Sequence, residues 1–417
     1  MKIYENFMSN SGLKNPEWRK FVLTAIALVF MLALISSVFS YGFFHYDEHY
    51  QIIEYVGLKM GKSAPENAAW EYNARIRPWM QPGLYYVISK ILTLSGVKNP
   101  FVLSFSFRFI TAIFGVCAIF AAILLSYFYF PEDLKKRKSV GFIFIFLFII
   151  PYFIVRTSSE ALSSAFFMIG LSFFFLFSEK EGEKISPSFF TAFLCGIILG
   201  FSFQFRYQIA FMIVGFILWF FIFSSKNYAA NFLKILSFGL GFLLVIALGV
   251  LVDFWGYGEW GLTFWNYFYR NIALKASHNW GVEPFWGYFY LVNAHPFFIV
   301  TIISTLAFIV YWIRFPLSLF SFITIIFFLG HSVVAHKEAR FLFSMIYFIP
   351  FAITGVFSKN NDKFDFIYNF FISKSKLPRI IFLTLNVIFM VILIFFDARF
   401  ELPIQREIQK IYKNNKE

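Results

Sequence analysis

The sequence predicts an all-α bundle of membrane-spanning helices, and three observations lead to this prediction. Only 14% of the 417 residues are charged, whereas a soluble domain has about 25%. Apolar residues recur in blocks long enough, or nearly long enough, to cross a hydrocarbon core of about 30 Å as helices. Basic residues collect in short loops between the blocks, which is the pattern that sets membrane orientation. Because helices satisfy their own backbone polar groups in lipid, we expect a polytopic bundle that forms a single domain over residues 1–417.

Composition also excludes other classes of protein. The net charge of +13 is spread over many loops rather than gathered in one basic stripe, which argues against nucleic acid as a partner. Cys117 and Cys195 both lie inside apolar runs, so neither a disulfide framework nor a metal framework is indicated. The first apolar block, residues 21–44, is too long for the core of a cleaved signal, and we expect it to remain as the first span.

Eleven spans are expected, beginning with residues 21–42 behind a basic N-terminus that the positive-inside rule places in the cytoplasm. Residues 82–95 are apolar but short and begin with proline, so we expect an interfacial helix inside a large first outer loop, residues 43–100. The ten further spans lie near residues 101–130, 140–155, 161–178, 188–203, 209–223, 232–252, 297–313, 317–335, 342–357 and 380–396. The basic tail, residues 397–417, falls on the outer side by this count and against the charge rule, so the sequence leaves its side open.

This topology collects the unusual polar residues on the outer face, which indicates one composite site at the membrane boundary. They are His45, Asp47, Glu48, His49, Glu54, Arg75, Arg77, Arg156, Glu160, Arg206, residues 253–295, His336, Lys337, Glu338 and Arg340.

Asp47, Gln51 and Glu54 are spaced as i, i+4 and i+7, which predicts one face of a helix just beyond the first span. A carboxylate in that position can accept a proton from a substrate hydroxyl. The alternative is a solvated interfacial helix with ordinary acids, and the spacing alone does not choose between the two.

Cations in two places suggest a phosphate site. The segment HKEARF, residues 336–341, carries three of them, and Lys and Arg bind phosphate, Arg in a bidentate manner. Cations beside a bilayer also extend toward lipid headgroups, but an outer loop usually has few of them, which favours a functional role. Arg108 lies inside the second span, where a charge costs about 2.5–3.5 kcal/mol. We expect it to face the bundle interior.

The long outer loop, residues 253–296, is rich in Trp and Tyr. Aromatic belts are common at membrane interfaces, so the aromatic residues alone carry little information. Asn266, Asn271, His278 and Glu283 are interspersed among them, and this mixture is also consistent with a surface that contacts carbohydrate.

Four patches of this outer surface, in order along the chain, resemble one known family. HYDEHYQIIEYV with AAWEYNARIRPW is similar to a first-loop His-x-Asp-Glu followed by Thr-Trp-Glu-Trp and Ile-Arg-Ser. VRTSSEALSS is similar to Arg-Thr-x-Ser-Asn, and HKEARFLF to His-Lys-Glu-x-Arg-Phe. VDFWGYGEW, NYFYRN and NWGVEPFWGY together resemble Val-Asp-x-x-Phe-Tyr-Gly, Asn-Phe-x-x-x-Asn and Tyr-Gly-x-x-Pro-Trp-x-Trp-Tyr. The chain thus resembles glycosyltransferase family 22, the integral-membrane mannosyltransferases of the GT-C fold that in eukaryotes extend the glycosylphosphatidylinositol anchor and the lipid-linked oligosaccharide.

Several positions depart from the family pattern. Tyr46 stands where the family has Pro, Glu160 where it often has Asn, Trp280 replaces Tyr, and Phe285 and Gly287 replace Trp. These differences bear on the sugar and the acceptor more than on the fold.

The resemblance implies a GT-C bundle that transfers a hexose, expected to be mannose, with inversion from a polyprenyl-phosphate sugar to a hydroxyl of a lipid-linked or other glycan. The family's catalytic carboxylate matches Asp47 as general base, with Glu48 in support. The residues expected to bind the donor phosphate, whose negative charge grows as it leaves, are His336, Lys337, Arg340 and Arg108. The expected substrate contacts are His45, Gln51, Trp70, Glu71, Arg77, Arg156, Asp253, Tyr257, Asn266, Asn271 and Trp286.

The same resemblance implies the partners and the location. The expected partners are the bilayer, the lipid-phosphate sugar donor and a glycan or glycolipid acceptor. No cofactor beyond the donor and no metal site is expected, and the metal requirement stays open. The site is expected on the outer face of a prokaryotic cytoplasmic membrane or the lumenal face of an endoplasmic reticulum membrane.

Two alternatives remain beside this interpretation. A transporter or flippase would carry polar groups near the membrane midplane and paired repeats, neither of which is evident. Another GT-C transferase, of the aminoarabinose or protein-mannosyl type, would share the acidic first loop but not HKEARF.

Overall fold

The structure is a computed structural model of the chain, and it is almost entirely helical. It describes residues 2–97, 99–181, 184–370 and 376–395, together with residues 402, 404, 405, 407, 408 and 411 of the tail. Within these residues the only strands are Glu179–Glu181 (β1) and Lys184–Ser186 (β2), which pair antiparallel in a small hairpin.

The α-helices follow one another along the chain with short connections. In order they are Lys2–Asn10 (α1), Pro16–Phe39 (α2), Glu54–Lys59 (α3), Trp70–Ala74 (α4), Met80–Leu94 (α5), Pro100–Tyr129 (α6), Leu134–Phe146 (α7), Ile149–Phe153 (α8), Ser159–Phe177 (α9), Phe189–Phe205 (α10), Ala210–Phe223 (α11), Tyr228–Tyr257 (α12), Thr263–Phe268 (α13), Tyr288–Leu291 (α14), Phe298–Arg314 (α15), Leu319–Val333 (α16), Ile349–Val356 (α17), Asp365–Tyr368 (α18) and Leu377–Phe395 (α19). The π-helices are His49–Ile53 and Tyr269–Ala273, and the 3-10 helices are Pro65–Asn67, Tyr207–Ile209, Ala276–Trp280 and Ala339–Phe348.

Six helices of the described chain are long and apolar enough to cross a membrane. They are α2, α6, α9, α12, α19 and the segment Ala339–Val356, in which a 3-10 helix continues into α17. The pair α15 and α16 adds a seventh if it is one span bent by 119°. All eleven predicted spans are helical, but α10 and α11 have 17 and 14 residues and cover only about 21–26 Å. Eleven complete crossings therefore stay a prediction.

Local sequence explains where the first span begins and which face it buries. Asn15 caps α2 by accepting a hydrogen bond from the backbone of Trp18 at 3.0 Å, and Pro16 occupies the first helical position, which suits a residue without an N–H. The buried side chains recur every three or four residues and form one stripe. They are Trp18, Val22, Ala25, Val29 and Ala33.

Small residues allow the tightest helix contact in the bundle core. Helices α10 and α12 pack backbone against backbone where Gly196 faces Phe238 and Gly241 faces Phe193. A Cβ atom at Gly196 would lie 2.0 Å from the carbonyl oxygen of Phe238. Such close approach through glycine is typical of membrane helix pairs, which gain association energy from packing.

The bundle has two ends, which differ in the contacts between their connecting segments. The site end carries Asp47 and the polar residues described below. At the other end, called the opposite end, Lys138 Nζ lies 2.6 Å from Glu17 Oε1 and Arg314 pairs with Asp362. The basic loop at residues 135–138 and Asp47 thus lie at opposite ends of the bundle, as the predicted topology requires.

Two expectations concern segments near the site end. Residues 80–94 do form a helix, α5, but its placement at a membrane interface stays a prediction. Of the tail, residues 397–401 and several later ones lie outside the described residues. Leu402 and Gln405 are described and line a cavity together with Tyr41 and Gly42 of the first loop, so this part of the tail lies at the site end.

Candidate active site

The first outer loop turns after α2 and brings Asp47 to the start of a helical turn. The π-helix His49–Ile53 follows it. Such π turns are rare in proteins as a whole, but many of those that occur lie at functional sites. This π-helix interrupts the regular 3.6-residue spacing from which a shared face for Asp47, Gln51 and Glu54 was expected. Asp47 contacts Arg340, Gln51 contacts Glu71 and Glu54 contacts His49. A shared face for the three residues stays a prediction.

Arg340 is the centre of a buried charge network that contains Asp47. Its Nη2 donates to Asp47 Oδ2 at 2.6 Å and its Nε to Glu338 Oε2 at 2.6 Å, while Nη1 lies 3.4 Å from Glu160 Oε1. Arg206 Nη1 reaches the same Glu160 oxygen at 3.0 Å. Three carboxylates therefore share two guanidinium groups, and hydrogen bonds between such charged partners are short and strong.

Three members of this network, Glu160, Arg206 and Glu338, were placed in the composite outer site by the sequence, but none of them was given a role. Glu160 lies in the first turn of α9 and Arg206 is the residue that caps the end of α10. A carboxylate and a cation are favourable at those helix ends anyway, so the sequence offered no reason to pair them with each other or with Arg340. Glu338 had a further signal, because it lies inside the HKEARF motif between two residues that were given roles.

Asp47 is ionised and partly accessible. Burial by itself would raise the pKa of this carboxyl, but the contact with His45 and the positive charges of Arg340 and Arg77 outweigh burial and hold the pKa well below its usual range. Its side chain is 24% exposed, whereas the neighbouring Glu48 is 2% exposed. A substrate can therefore reach Asp47.

Glu338 joins Arg340 to the two histidines of the site. His336 Nε2 lies 3.0 Å from Glu338 Oε1, and His45 Nε2 lies 3.3 Å from Glu338 Oε2. Burial would raise the pKa of Glu338, but the hydrogen bonds from His336 and Arg340 and the charge of Arg340 lower it to about 2.

Glu48 is buried and fixes the loop around it. Its Oε1 accepts from the backbone N–H of Phe44 at 2.8 Å, and its Oε2 accepts from the hydroxyl of Thr157 at 3.2 Å. Burial raises the pKa of Glu48, and the charge of Arg156 and these hydrogen bonds reduce the rise. The role of Glu48 in support of Asp47 stays a prediction.

The four cations expected at the donor phosphate do not form one cluster. Arg340 is occupied by carboxylates, and Lys337 Nζ donates to the carbonyl oxygens of Val334 at 2.6 Å and Glu283 at 3.2 Å. Arg108 is buried, as predicted, but donates to Ser37 O at 2.8 Å and Ser104 Oγ at 2.7 Å. The Arg108 side chain thus lies against α2, and its expected role at the donor phosphate stays a prediction.

Arg77 connects the first loop to the second. Its Nη2 lies 3.5 Å from Glu71 Oε1, which also accepts from Gln51 Nε2 at 3.0 Å. The guanidinium lies over the ring of Tyr267, 5.6 Å from its centre. These residues stand close enough to Asp47 for the charge of Arg77 to lower its pKa.

Asp253 and Tyr257, near the end of α12, connect this helix to the segment around Arg77. Asp253 Oδ1 accepts from the backbone N–H of Trp79 at 2.7 Å, and Oδ2 accepts from the hydroxyl of Thr263. Tyr257 donates its hydroxyl to the carbonyl oxygen of Arg77 at 2.8 Å. Asp253 and Tyr257 were expected to contact substrate, but in the structure both fix the backbone around Arg77.

The remaining predicted contacts lie further out. Asn266 and Asn271 donate to the carbonyl oxygens of Arg75 and Tyr267, so their amides also support the loops. Trp70 and Trp286 are 37% and 63% exposed. An exposed indole beside a polar site is suited to stacking on a sugar ring, since it presents a large apolar face.

Two cavities adjoin the loop that carries Asp47, although Asp47 is not among the residues that line them. A cavity of about 770 Å³ is lined by Phe43, Glu48, Arg108 and Arg156. An apolar groove of about 240 Å³ is lined by Phe44 and by residues of α14, α15, α16 and the HKEARF region. Phe43 and Phe44, neighbours in sequence, thus contribute to different cavities.

The described residues include no candidate site for a resident metal ion. No group of three or more His, Cys, Asp or Glu side chains in that part of the chain is arranged to hold an ion. The acids and histidines around Arg340 instead pair with its guanidinium or with one another.

Comparison with known proteins adds to this geometry. Residues 24–416 match the Alg9-like mannosyltransferase family. The chain is 23% identical over 415 residues to the GPI mannosyltransferase 3 of Debaryomyces hansenii, and the match covers 96% of this chain and 68% of the yeast protein. No solved structure matches the chain significantly.

Proposed function

Because the chain belongs to the Alg9-like mannosyltransferase family and is therefore a glycosyltransferase, we propose that it moves mannose from a polyprenyl-phosphate sugar to a glycan hydroxyl. The acceptor is a lipid-linked or other glycan, and the reaction takes place on the outer or lumenal face. The name of the yeast relative, GPI mannosyltransferase 3, supports mannose as the sugar. The observation that carries the assignment of the site is Asp47, an accessible carboxylate that contacts His45 of the first loop and Arg340 of the HKEARF motif.

The transfer is a single displacement at the anomeric carbon of the sugar. A bond forms between the acceptor oxygen and the anomeric carbon while the bond from that carbon to the phosphate oxygen breaks. The electron pair of the broken bond leaves with the lipid phosphate, and the hydroxyl proton passes to Asp47. Attack from the face opposite the phosphate inverts the configuration of the sugar.

The contact with Arg340 sets how Asp47 acts as a base. A general base is most effective when its pKa lies near the working pH, and the pKa of Asp47 is well below that in the structure. An acceptor hydroxyl that takes the place of Arg340 Nη2 at the Asp47 oxygen raises its proton affinity. The same displacement frees one N–H of Arg340 for the departing phosphate.

The apolar groove is suited to the lipid chain of the donor. Tyr288 and Ala339 line its wall, and Phe308 and Trp312 extend the lining along α15. Lys337 Nζ lies over the Tyr288 ring, 6.0 Å from its centre, so a cation stands beside an apolar channel. His336, Lys337 and Arg340 then stabilise the charge that develops on the phosphate.

A transfer assay with a matched control tests this function. Membranes that contain the wild-type protein are expected to transfer labelled mannose from polyprenyl-phosphate mannose to glycolipid, and Asp47→Asn is expected to lower the rate by about 10²–10⁴-fold without changing the yield of folded protein. Asp362→Asn, at the opposite end, should retain the wild-type rate. Undiminished transfer by Asp47→Asn would remove Asp47 from its role, and wild-type transfer of another hexose but not mannose would refute the choice of sugar.

A further inference from the structure

Two buried arginines at the site end form no direct ion pair with a carboxylate of the described chain. Arg108 donates to Ser37 and Ser104, and Arg156 donates to the carbonyl oxygens of Gly42 at 3.0 Å and Ser40 at 2.7 Å. The charge of Arg156 also acts on Glu48, but no salt bridge joins the two. The half-buried Arg77 and the buried Arg206 and Arg340 each contact a carboxylate directly.

Each of the two guanidinium groups also keeps an unsatisfied nitrogen. Arg108 Nη2 and Arg156 Nε are buried and find no hydrogen-bond partner among the residues that the structure describes. Both side chains are only 2% exposed. A buried charge that lacks a direct ion pair and is not fully hydrogen-bonded is costly, so an anion that enters beside these groups is favoured.

A cavity of about 770 Å³ lies beside the two arginines, which both line it. Ser104, Thr157 and His49 add polar groups to the cavity lining. Among the lining residues, Glu48 is acidic. The volume falls in the range of sites that hold substrate-sized ligands. Because arginine forks match the oxygens of phosphate, the lining favours a phosphoryl group over a neutral sugar.

We propose that this cavity binds a phosphoryl group of one of the two lipid substrates through Arg108 and Arg156. The inference rests on the proposed function, since a lipid-phosphate transferase supplies such ligands. Phe43 lines this cavity, whereas its neighbour Phe44 lines the apolar groove proposed for the donor chain. Because the groove is assigned to the donor chain, the second cavity favours the acceptor as the source of the phosphoryl group.

Direct binding measurements test the site apart from catalysis. The probes for the full-length protein in detergent are a short-chain polyprenyl phosphate, as phosphomonoester, and dioctanoyl phosphatidylinositol, as phosphodiester, each compared with its phosphate-free lipid. At least one phosphorylated probe is expected to bind more tightly than its phosphate-free lipid, and Arg108→Gln and Arg156→Gln are each expected to weaken it by about 10–100-fold, as loss of a hydrogen bond to a charged group does. Loss of binding of polyprenyl phosphate alone, which is the lipid phosphate that leaves the donor, identifies the donor, and loss of binding of phosphatidylinositol identifies the acceptor.

The control is Arg137→Gln at the opposite end. Arg137 is also buried, also keeps unsatisfied nitrogens and lies over Trp18 and Tyr127, so its loss reports only on a missing buried guanidinium. If Arg108→Gln does not fold, Arg108→Lys keeps the charge without the fork and should bind more weakly than wild type. Wild-type affinity for both probes in the folded variants overturns the inference.

Failure of this inference is distinguishable from failure of the proposed function. Asp47→Asn should bind both probes as the wild-type protein does although it does not transfer sugar. Normal binding in the arginine variants with normal transfer by the wild type would reject the phosphate site and leave the transferase function intact.

Discussion

Two arginines lie at the two ends of one helical segment, Ala339–Val356, and their charges are stabilised in different ways. At the opposite end, Arg314 Nη1 donates to the carbonyl oxygens of Gly355 and Val356, and its other nitrogens bind Asp362 and Asp365. A cation at the C-terminal carbonyls of a helix is favoured by the helix dipole. Arg314 therefore stabilises the end of the segment.

Arg340 stands at the start of the same segment, where the dipole disfavours a cation. Its charge is held by Asp47, Glu160 and Glu338 instead. The partners of Arg314 lie 48 and 51 residues away along the chain, whereas Asp47 lies 293 residues and Glu160 180 residues from Arg340. An unfavourable local position maintained by distant segments is typical of a functional site.

The largest expected difference comes from removing each arginine. Arg340→Gln leaves three carboxylates around an uncharged side chain, so we expect transfer per folded molecule to fall by about 10²–10³-fold and unfolding to become easier by about 3–5 kcal/mol. Arg314→Gln should cost stability through the lost helix-end contacts, up to about 2 kcal/mol, with transfer per folded molecule unchanged. Thermal unfolding and labelled-mannose transfer measure both. Equal losses of transfer would show that the two ends do not differ in function.

Glu160 is expected to have an intermediate effect. Glu160→Gln removes the charge that Arg206 and Arg340 share but keeps an acceptor oxygen, so the free energy of unfolding should fall by about 1–3 kcal/mol. Transfer should also fall, because Arg340 is no longer held in place beside Asp47. The matched control is Asp365→Asn, which should keep the transfer rate. A Glu160→Gln protein with full activity would exclude Glu160 from positioning Arg340.

Acid should weaken the Glu338 contacts only at low pH. The folded-state pKa of about 2 lies below the ordinary 4.5, so the unfolded chain binds this proton more tightly, and the stabilisation is complete above about pH 5 and lost as pH falls toward 2. The contribution of Glu338 to stability should therefore be constant between pH 6 and 8, so this group should cause no change in the unfolding temperature of the protein over that range. The decline between pH 5 and 4 should be shallower in Glu338→Gln than in the wild type. An equally steep decline in both would mean that Glu338 has no lowered pKa.

The smallest effect is expected from surface cysteines that report on the sides of the membrane. In a chain without Cys117 and Cys195, Asn279→Cys at the site end should react with an impermeant thiol reagent from outside or from the lumen. Lys135→Cys at the opposite end should react only after permeabilisation, and neither substitution should change the transfer rate. Reaction of Lys135→Cys in sealed membranes would place the opposite end, and not the site end, on the outer or lumenal side of the membrane.

Much of the fold was predictable because it depends on local hydropathy. The eleven predicted apolar segments are helical, and the family inferred from the four motifs is confirmed by the match over residues 24–416. The number of crossings was less predictable, because helices such as α11 are too short to span lipid alone and the angle between α15 and α16 depends on packing. The local geometry between Asp47 and Glu54 was not predictable from the spacing, because a π-helix runs from His49 to Ile53 where a regular α-helix was expected.

The sequence by itself determined a helical membrane bundle, the polar first loop with Asp47 and the cation-rich HKEARF motif, since hydropathy, charge and motif spacing are local properties. Only the tertiary structure decided that Arg340 pairs with Asp47, that Glu160 and Arg206 complete the network, and that Arg108 belongs with Arg156. The physical reason is that charge pairing between segments far apart in the chain depends on which helix ends pack together. That packing arises from buried contacts along the whole bundle, which no single motif records.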